Sequence, residues 1–203
     1  MNSIQKLKYF FERFPGVGPR QAGRFVYHLF NMSSSERKEL SKLIAEIENE
    51  INRCQSCGRF FRRKTNNQNL CQICVDPQRD TLKLMIVATD QDIKPIESVG
   101  FDGVYFVLGG LLMLTRKNKD SISSKELLNK LSQNDFQEVI FALPATSDGD
   151  YTIYELKKQI ISSLPQYKDR LTLLGRGLAT GTEIEYADMD TLKHALKNKE
   201  RLV

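Results

Sequence analysis

The four cysteines of the chain form two matched pairs, Cys54–Cys57 and Cys71–Cys74, each with C-x-x-C spacing and with thirteen residues between the pairs. Two such knuckles supply four thiolates that can converge on one tetrahedral zinc ion. The segment between them is rich in Arg, Asn and Gln and poor in large apolar side chains, so we expect a metal to order it. The sequence therefore predicts one zinc per chain, held by these four residues.

Two other uses of the cysteines remain open, namely two local disulfides and a redox C-x-x-C motif. Disulfides need an oxidising compartment, whereas the N-terminal residues contain no apolar signal core. The longest apolar run, 104–114, is interrupted by glycines and is too short to span a bilayer, so we expect a cytoplasmic protein without membrane contact. A redox motif usually comes as a single pair at a helix start, which favours zinc.

Positive charge is concentrated at the start of the chain. Residues 1–80 carry 14 Lys and Arg against 8 Asp and Glu, although the whole chain has a net charge of only +5. A run without an intervening acid surrounds the first knuckle and consists of Arg53, Arg59, Arg62, Arg63 and Lys64. This asymmetry favours nucleic acid or another polyanion as a partner, and a solvated basic face is the simpler alternative.

An N-terminal pattern of helix, tight turn and helix predicts a phosphate-binding hairpin. Helices are expected over 2–12 and 19–31, with Pro-Gly-Val-Gly-Pro at 15–19 between them. Glycines let backbone N–H groups approach phosphate oxygens, and the second helix directs its positive end to the same place. Self-association through the same helices is a competing use. The predicted DNA contacts, which would read no base sequence, are Gly16, Gly18, Arg20 and Arg24.

The sequence pattern after the hairpin predicts a third helix and then an α/β region. Ser33 and Glu36 have capping-box spacing for a third helix that runs towards Cys54. From about residue 80, short continuous apolar runs alternate with amphipathic stretches, which predicts an α/β layer with a mostly parallel sheet. The expected strands are 84–87, 104–108, 139–143 and 171–174, and the expected helices are 123–132, 151–164 and 190–202, the last capped by Asp190.

Two carboxylates, Asp148 and Asp150, follow the strand expected at 139–143, at the strand end where α/β folds place their sites. They could share a Mg²⁺ ion, which is the metal half of a Toprim site. The first strand ends in Ala88-Thr89, where a Toprim enzyme needs a glutamate to handle protons. We therefore predict a Toprim-like fold that has lost its chemistry. The pair then keeps residual metal or partner binding, or Asp148 simply begins the next helix.

The order of these features resembles the RecR family of bacterial recombination mediators. The resemblance rests on the hairpin at 15–19, the four cysteines, the Toprim-like domain and the phrase Gly177-Leu178…Gly181…Glu185-Tyr186-Ala187-Asp188. It covers almost the whole chain. We divide the chain into a helix-hairpin-helix region at 1–53, a four-cysteine zinc finger at 54–79, a Toprim-like α/β domain at 80–174 and a glycine-rich, acidic segment with a helix at 175–203.

The resemblance implies a non-enzymatic DNA-repair protein associated with the nucleoid. Such proteins act with RecO and RecF partners to load the recombinase at single-stranded gaps, and they form dimers that pair into tetrameric rings able to encircle DNA. By matching position, Arg20 and Arg24 would contact DNA, and Asp148 and Asp150 would face a partner or a metal. The chain departs from the family pattern at Ala88-Thr89, which weakens a metal role for the acidic pair.

Two further functions stay open. One is a scaffold whose zinc ribbon and Toprim surface bind proteins while a partner holds the DNA. The other is a Mg²⁺-dependent Toprim nuclease, which the missing glutamate at position 88 disfavours. No G-x-x-x-x-G-K-[ST] motif occurs, so we do not expect a P-loop ATPase.

Overall fold

The computed structural model describes residues 1–65, 67–113 and 122–199. The chain divides into two compact units, Met1–Ile51 and Asn52–Val203. The described part contains no helix with the length and apolarity needed to cross a membrane.

The N-terminal unit consists of three helices, α1 (Ser3–Glu12), α2 (Pro19–Asn31) and α3 (Ser34–Glu50). The capping box predicted for α3 is confirmed, because the Ser33 hydroxyl accepts the Glu36 N–H and the Glu36 carboxylate accepts the Ser33 N–H. α1 packs on α2 through the rings of Phe11 and Phe25, whose centroids lie 5.5 Å apart. α3 ends at Glu50, earlier than predicted, because the chain becomes extended at Ile51.

The second unit opens with a two-stranded sheet, β1 (Ile51–Arg53, whose first residue still belongs to the N-terminal unit) and β2 (Phe60–Arg62). A single-turn helix, α4 (Gln72–Val75), follows at the second cysteine pair. The main sheet has four parallel strands in the order β4-β3-β5-β6. Its strands are β3 (Asp80–Val87), β4 (Gly103–Val107), β5 (Glu138–Ala142) and β6 (Leu171–Leu173).

Helices alternate with these strands along the chain or follow them, which confirms the predicted α/β class with a parallel sheet. They are α5 (Ile93–Ser98), α6 (Ser124–Gln133), α7 (Ser147–Ser163) and α8 (Met189–Lys197). α8 begins one residue before the predicted start. Its cap is Asp188 rather than Asp190, because the Asp188 carboxylate accepts the N–H groups of Asp190 and Thr191. The end of that predicted helix, 200–202, lies outside the described residues.

Both faces of β3 are buried over residues 84–87, which explains the unbroken apolar sequence of these four residues. Leu84 and Ile86 belong to a core shared with α6 and α7. Met85 and Val87 point to the opposite face, as successive strand residues must, and belong to a second core that includes three of the four cysteines as buried members. The metal-ligand segment is therefore packed against one face of the sheet.

Candidate metal centre and nucleic-acid interface

The structure brings all four cysteines together. Their sulfur atoms lie within 4.8 Å of one another, and this is the only such group of three or more potential ligands among the described residues. Cys54, Cys57 and Cys71 are buried and Cys74 is partly buried. None of these four residues forms a disulfide. The Sγ atoms of Cys57 and Cys71, which come from different pairs, are 3.6 Å apart.

This arrangement fits a tetrahedral zinc ion. Zinc–sulfur bonds of about 2.3 Å imply sulfur–sulfur edges of ~3.8 Å, close to the Cys57–Cys71 distance, whereas a disulfide needs about 2.05 Å. Hydrogen bonds from Cys57, Cys71 and Cys74 lower the pKa of the Cys54 thiol, whereas the hydrogen bond with Cys54 raises the pKa of Cys57 and of Cys74. Thiolates are the form that binds a metal, so the fit to zinc rests on the geometry of the four sulfur atoms.

Local backbone geometry shapes the first knuckle. The N–H of Gly58 donates to the Cys54 carbonyl at 2.9 Å, and the N–H of Cys54 donates to the Arg59 carbonyl at 2.8 Å. Gly58 has φ +78°, and a Cβ there would lie 3.2 Å from the Val107 carbonyl oxygen. Glycine is needed at this position because other residues rarely adopt that φ.

The knuckle is anchored to the Toprim-like sheet by specific bonds. The N–H of Val107, at the end of β4, donates to the Cys57 carbonyl at 2.7 Å. The Lys130 ammonium on α6 donates to the Ser56 hydroxyl at 2.9 Å, and Arg53 donates to the Ser123 hydroxyl at 2.8 Å. The four-cysteine cluster and the sheet therefore hold the same backbone segment.

The predicted hairpin is formed within the N-terminal unit. Gly16 has φ +76°, so the turn requires glycine there. Gly18 is the N-cap of α2 and supplies no side-chain cap, and a Cβ at Gly18 would meet nothing within 4 Å. The first N–H groups of α2 are therefore open to an approaching anion. Arg20 and Arg24 are exposed one turn apart on the same helix.

Asp148 and Asp150 lie in the first turn of α7 rather than in a loop. Residues two apart on a helix are about 200° apart around its axis, so the two carboxylates leave it in different directions. Asp150 accepts a 2.6 Å salt bridge from Arg176. Gly149 between them lies so close to Pro144 that an added Cβ would be 1.9 Å from the Pro144 carbonyl oxygen. Close packing at this position therefore requires glycine.

The end of β3 carries no carboxylate at position 88, as the sequence indicates. Ala88 is buried, and the next residue, Thr89, caps a short 3-10 turn whose Asp92 carboxylate accepts the Thr89 N–H at 2.7 Å. Asp90 lies 3.1 Å from the Arg59 guanidinium. Both aspartates beyond the strand are thus engaged in local contacts.

Sequence reasoning missed an ion-pair network beside the cysteine segment. The Glu97 carboxylate accepts hydrogen bonds from Arg79 at 2.8 Å and from the Tyr105 hydroxyl at 2.6 Å. The Arg79 bond lowers the pKa of Glu97 below its usual range, whereas burial raises the pKa of Tyr105. Arg79 also donates to the Phe101 carbonyl at 2.9 Å, so it links the segment after Cys74 to α5 and β4. No local pattern predicts the pairing of Arg79 with Glu97, because the two residues are 18 positions apart.

Comparison with known proteins agrees with this architecture. A family model described as the Toprim domain matches residues 83–168, and one described as RecR, C-terminal, matches residues 177–200. The recombination protein RecR of Lactobacillus helveticus (strain DPC 4571) is 33% identical over 193 residues, which cover 94% of this chain and 92% of that protein. The chain belongs to the RecR family. RecR of Streptococcus pneumoniae (strain CGSP14) is 32% identical over 201 residues, 98% of this chain and 97% of its own length.

Membership of the RecR family supports a role in recombinational DNA repair. The relatives are named as recombination proteins, and their names denote no catalysed reaction. The Toprim domain is present, and the four-cysteine cluster is suited to bind a metal.

Proposed function

We propose that this RecR-family protein is a non-enzymatic, DNA-binding recombination mediator that acts at the nucleoid with RecO- and RecF-type partners. In this role it helps to load the recombinase at single-stranded gaps. Its mechanism is electrostatic and topological, because a basic surface neutralises phosphates and ring closure prolongs residence on DNA. We propose that the four segments 1–53, 54–79, 80–174 and 175–203 have separate roles in this function.

The observation that carries this proposal is the hairpin. Gly18 leaves open space at the N-terminus of α2, and no acidic residue occupies the first turn of that helix. A phosphate can therefore approach the free N–H groups. Arg20 and Arg24 then add ionic contacts that read no base sequence. Gly16 supports the turn that holds this geometry.

Self-association into dimers and then a tetrameric ring is supported by apolar exposure in the N-terminal unit. Leu43, Ile44 and Ile47 on α3 are 55–64% exposed. Phe10, Phe14, Tyr27 and Phe30, which lie on or between α1 and α2, are 56–70% exposed. Apolar surface of this extent marks an interaction site in a soluble protein. A second copy of the chain would bury it.

Zinc is the metal we assign to Cys54, Cys57, Cys71 and Cys74. Four thiolates with tetrahedral spacing suit zinc, and a closed set of four protein ligands is typical of a structural site. The bound ion would supply folding energy to a segment that is poor in apolar side chains. These residues would hold it and would leave no open position for a substrate.

Asp148 and Asp150 are proposed to face a protein partner, with residual Mg²⁺ binding as the other use. Their divergence around the helix and the salt bridge of Asp150 to Arg176 favour the partner. A Mg²⁺-dependent nuclease is the weakest hypothesis, because position 88 is alanine. A scaffold whose partner holds the DNA is the stronger alternative, since it uses the same surfaces without the arginine contacts.

The test is binding to gapped DNA across a salt series, with light scattering on the same samples. The wild type is compared with Arg20→Ala/Arg24→Ala. We expect the variant to keep its mass, to bind more weakly and to show a salt slope lower by about 0.9 per lost phosphate contact. The matched control is Lys38→Gln/Lys42→Gln, which removes two exposed cations from α3. Equal binding by wild type and hairpin variant would favour the scaffold hypothesis.

A further inference from the structure

The four cysteines of the cluster differ in their exposure to solvent. Cys54, Cys57 and Cys71 are 1–2% exposed, whereas Cys74 is only partly buried. All four sulfur atoms nevertheless lie within 4.8 Å of one another. One member of the cluster is therefore open to small solutes, while its three neighbours are shielded.

The short helix α4 places Cys71 and Cys74 on the same turn. Cys71 is the N-cap of α4, and Cys74 lies three residues further along the chain. Residues three apart are neighbours on a helix surface, and the Val75 N–H closes the turn by donating to the Cys71 carbonyl at 3.3 Å. A C-x-x-C pair with this geometry is typical of cysteines that form and break disulfides.

Contacts outside the sulfur cluster hold both flanks of the cysteine segment. On one side of the second pair, the Cys57 carbonyl accepts the Val107 N–H at 2.7 Å. On the other side, Arg79 donates to Glu97 at 2.8 Å and to the Phe101 carbonyl at 2.9 Å. None of these bonds uses a cysteine sulfur. We therefore expect the cysteines to stay near one another when a bond among them forms or breaks.

We propose that the four-cysteine site is a redox switch, in which a hydroperoxide converts Cys71 and Cys74 into a disulfide and the site releases its zinc ion. This switch rests on the zinc that we proposed above for the same residues, and it is a form of regulation of that site. Bound zinc keeps the thiols that ligate it deprotonated, and the thiolate is the form of cysteine that attacks an oxidant. Cys74 combines this form with access to solvent.

The proposed step balances in atoms and electrons. The Cys74 sulfur attacks one peroxide oxygen, the O–O bond breaks, and a sulfenic acid forms while the other oxygen leaves as hydroxide. The Cys71 thiolate then attacks the Cys74 sulfur, so an S–S bond forms and the S–O bond breaks with loss of a second hydroxide. The two thiolates give up two electrons, and the peroxide takes them up. Two thiolates remain, which are too few to complete a tetrahedral site.

The first experiment adds hydrogen peroxide to the zinc-loaded full chain and follows zinc release with a chromogenic chelator. We expect one zinc to be released for each disulfide formed, and peptide mapping should place that disulfide between Cys71 and Cys74. A dithiol reductant with added zinc should restore the bound metal. Release that accompanies only sulfinic or sulfonic acids, or a disulfide between Cys54 and Cys57, would overturn the proposal.

Histidine variants test whether exposure selects Cys74. Cys74→His replaces the accessible thiolate by a nitrogen ligand and keeps a set of three cysteines and one histidine, which zinc accepts. We expect zinc release at a fixed peroxide concentration to be slower by about five-fold or more, because oxidation follows exposure of the thiolate. The matched control is Cys54→His, which makes the same exchange at a residue that is 2% exposed. It should release zinc at the rate of the wild type.

Equal rates in the two variants would show that exposure does not select Cys74, and this would overturn the proposed order of attack. Zinc content and melting temperature before oxidation check that both variants fold. If either variant fails to hold zinc, the disulfide map of the wild type decides between the outcomes.

Metal analysis of the untreated chain separates this switch from the zinc assignment. If the chain holds no zinc after purification in a zinc-containing buffer, the assignment fails and the switch fails with it. If the chain holds zinc and peroxide forms no disulfide between Cys71 and Cys74, the assignment stands and the switch is wrong.

Discussion

The two units of the molecule differ in how they are stabilised. Within residues 1–51, only Ala22 and Val26 are buried, and most apolar side chains of the three helices are exposed. In the second unit, both faces of β3 are covered, one by α6 and α7 and the other by α5 and the cysteine segment. The second unit thus has a core of its own. The first unit exposes the apolar faces of its helices. Packing of these faces against another surface would stabilise the helices, because helices in proteins gain most of their stability from packing.

This difference indicates which unit can hold a rigid site by itself and which unit depends on assembly. The sheet unit can hold the four-cysteine cluster in a fixed geometry without another chain. The helical unit carries the hairpin that we propose binds DNA, and we propose that self-association covers its exposed apolar surface. Damage to the first unit should therefore change assembly, and damage to the second should change folding.

The largest effect is expected from loss of a metal ligand. Cys57→Ser removes a thiolate that is 1% exposed and packed against the sheet. We expect loss of bound zinc and destabilisation of the second unit by at least about 3 kcal/mol, since structural zinc contributes directly to folding. Metal analysis and urea unfolding measure both.

The control for this variant is Gln55→Ser, an exposed change in the same knuckle that leaves all four thiols in place. It should keep its zinc and its stability. If Cys57→Ser retained full stability after zinc was lost, the metal would be dispensable for the core of the second unit.

A loss of stability of similar size is expected from a change at Gly149, between the two residues of the acidic pair. In Gly149→Ala, the new Cβ would lie 1.9 Å from the Pro144 carbonyl oxygen, so the start of α7 must shift. Overpacking against backbone should lower the free energy of unfolding by about 3 kcal/mol. Gly175→Ala is the matched control, because its Cβ would meet nothing within 4 Å. Equal stabilities of the two variants in urea would show that α7 can move freely.

A change confined to assembly is expected from α3. Ile44→Gln/Ile47→Gln replaces two exposed apolar side chains. We expect self-association to weaken at least ten-fold, since burying one such side chain contributes ~1.5–3 kcal/mol, while the second unit keeps its stability within about 0.5 kcal/mol. Light scattering over a concentration series measures the mass. Lys38→Gln/Lys42→Gln on the same helix is the control, and an equal loss of mass in that control would contradict the apolar explanation.

The smallest effect is expected from the Glu97 network and depends on pH. The pKa of Glu97 is lower in the folded protein than its ordinary value of 4.5, because Arg79 stabilises the carboxylate. The stability it contributes is therefore present above about pH 4.5 and is lost as the pH falls through the folded value. Glu97→Gln should cost ~1–2 kcal/mol at neutral pH, with a difference that shrinks in acid. A difference that is constant with pH would show that the charge plays no part.

Local sequence patterns anticipate a large part of this structure. The capping box at Ser33, the proline at the start of α2 and the apolar runs of β3, β4 and β5 each depend on neighbours in the chain, and the structure has these elements within a few residues of the expected bounds. The cysteine cluster was predictable because its spacing encodes the metal geometry. The DNA contacts at Arg20 and Arg24 remain predictions.

The features that the sequence did not reveal depend on contacts between residues that are far apart in the chain. The docking of Cys57 on Val107 joins residues about fifty positions apart, and no periodicity signals it. The same holds for the pairing of Arg79 with Glu97. Asp148 and Asp150 were expected in a loop, yet Thr146 caps a helix that already includes both.

The most direct test of the difference between the units is amide hydrogen exchange at low and high protein concentration, with the mass measured by light scattering. We expect amides of β3 to be protected at both concentrations, because the second unit has its own core. Amides of α2 and α3 should exchange quickly in the dilute protein and become protected as the mass rises. Strong protection of these helices in a dilute monomer would contradict the account, because the N-terminal unit would then be stable without a second copy.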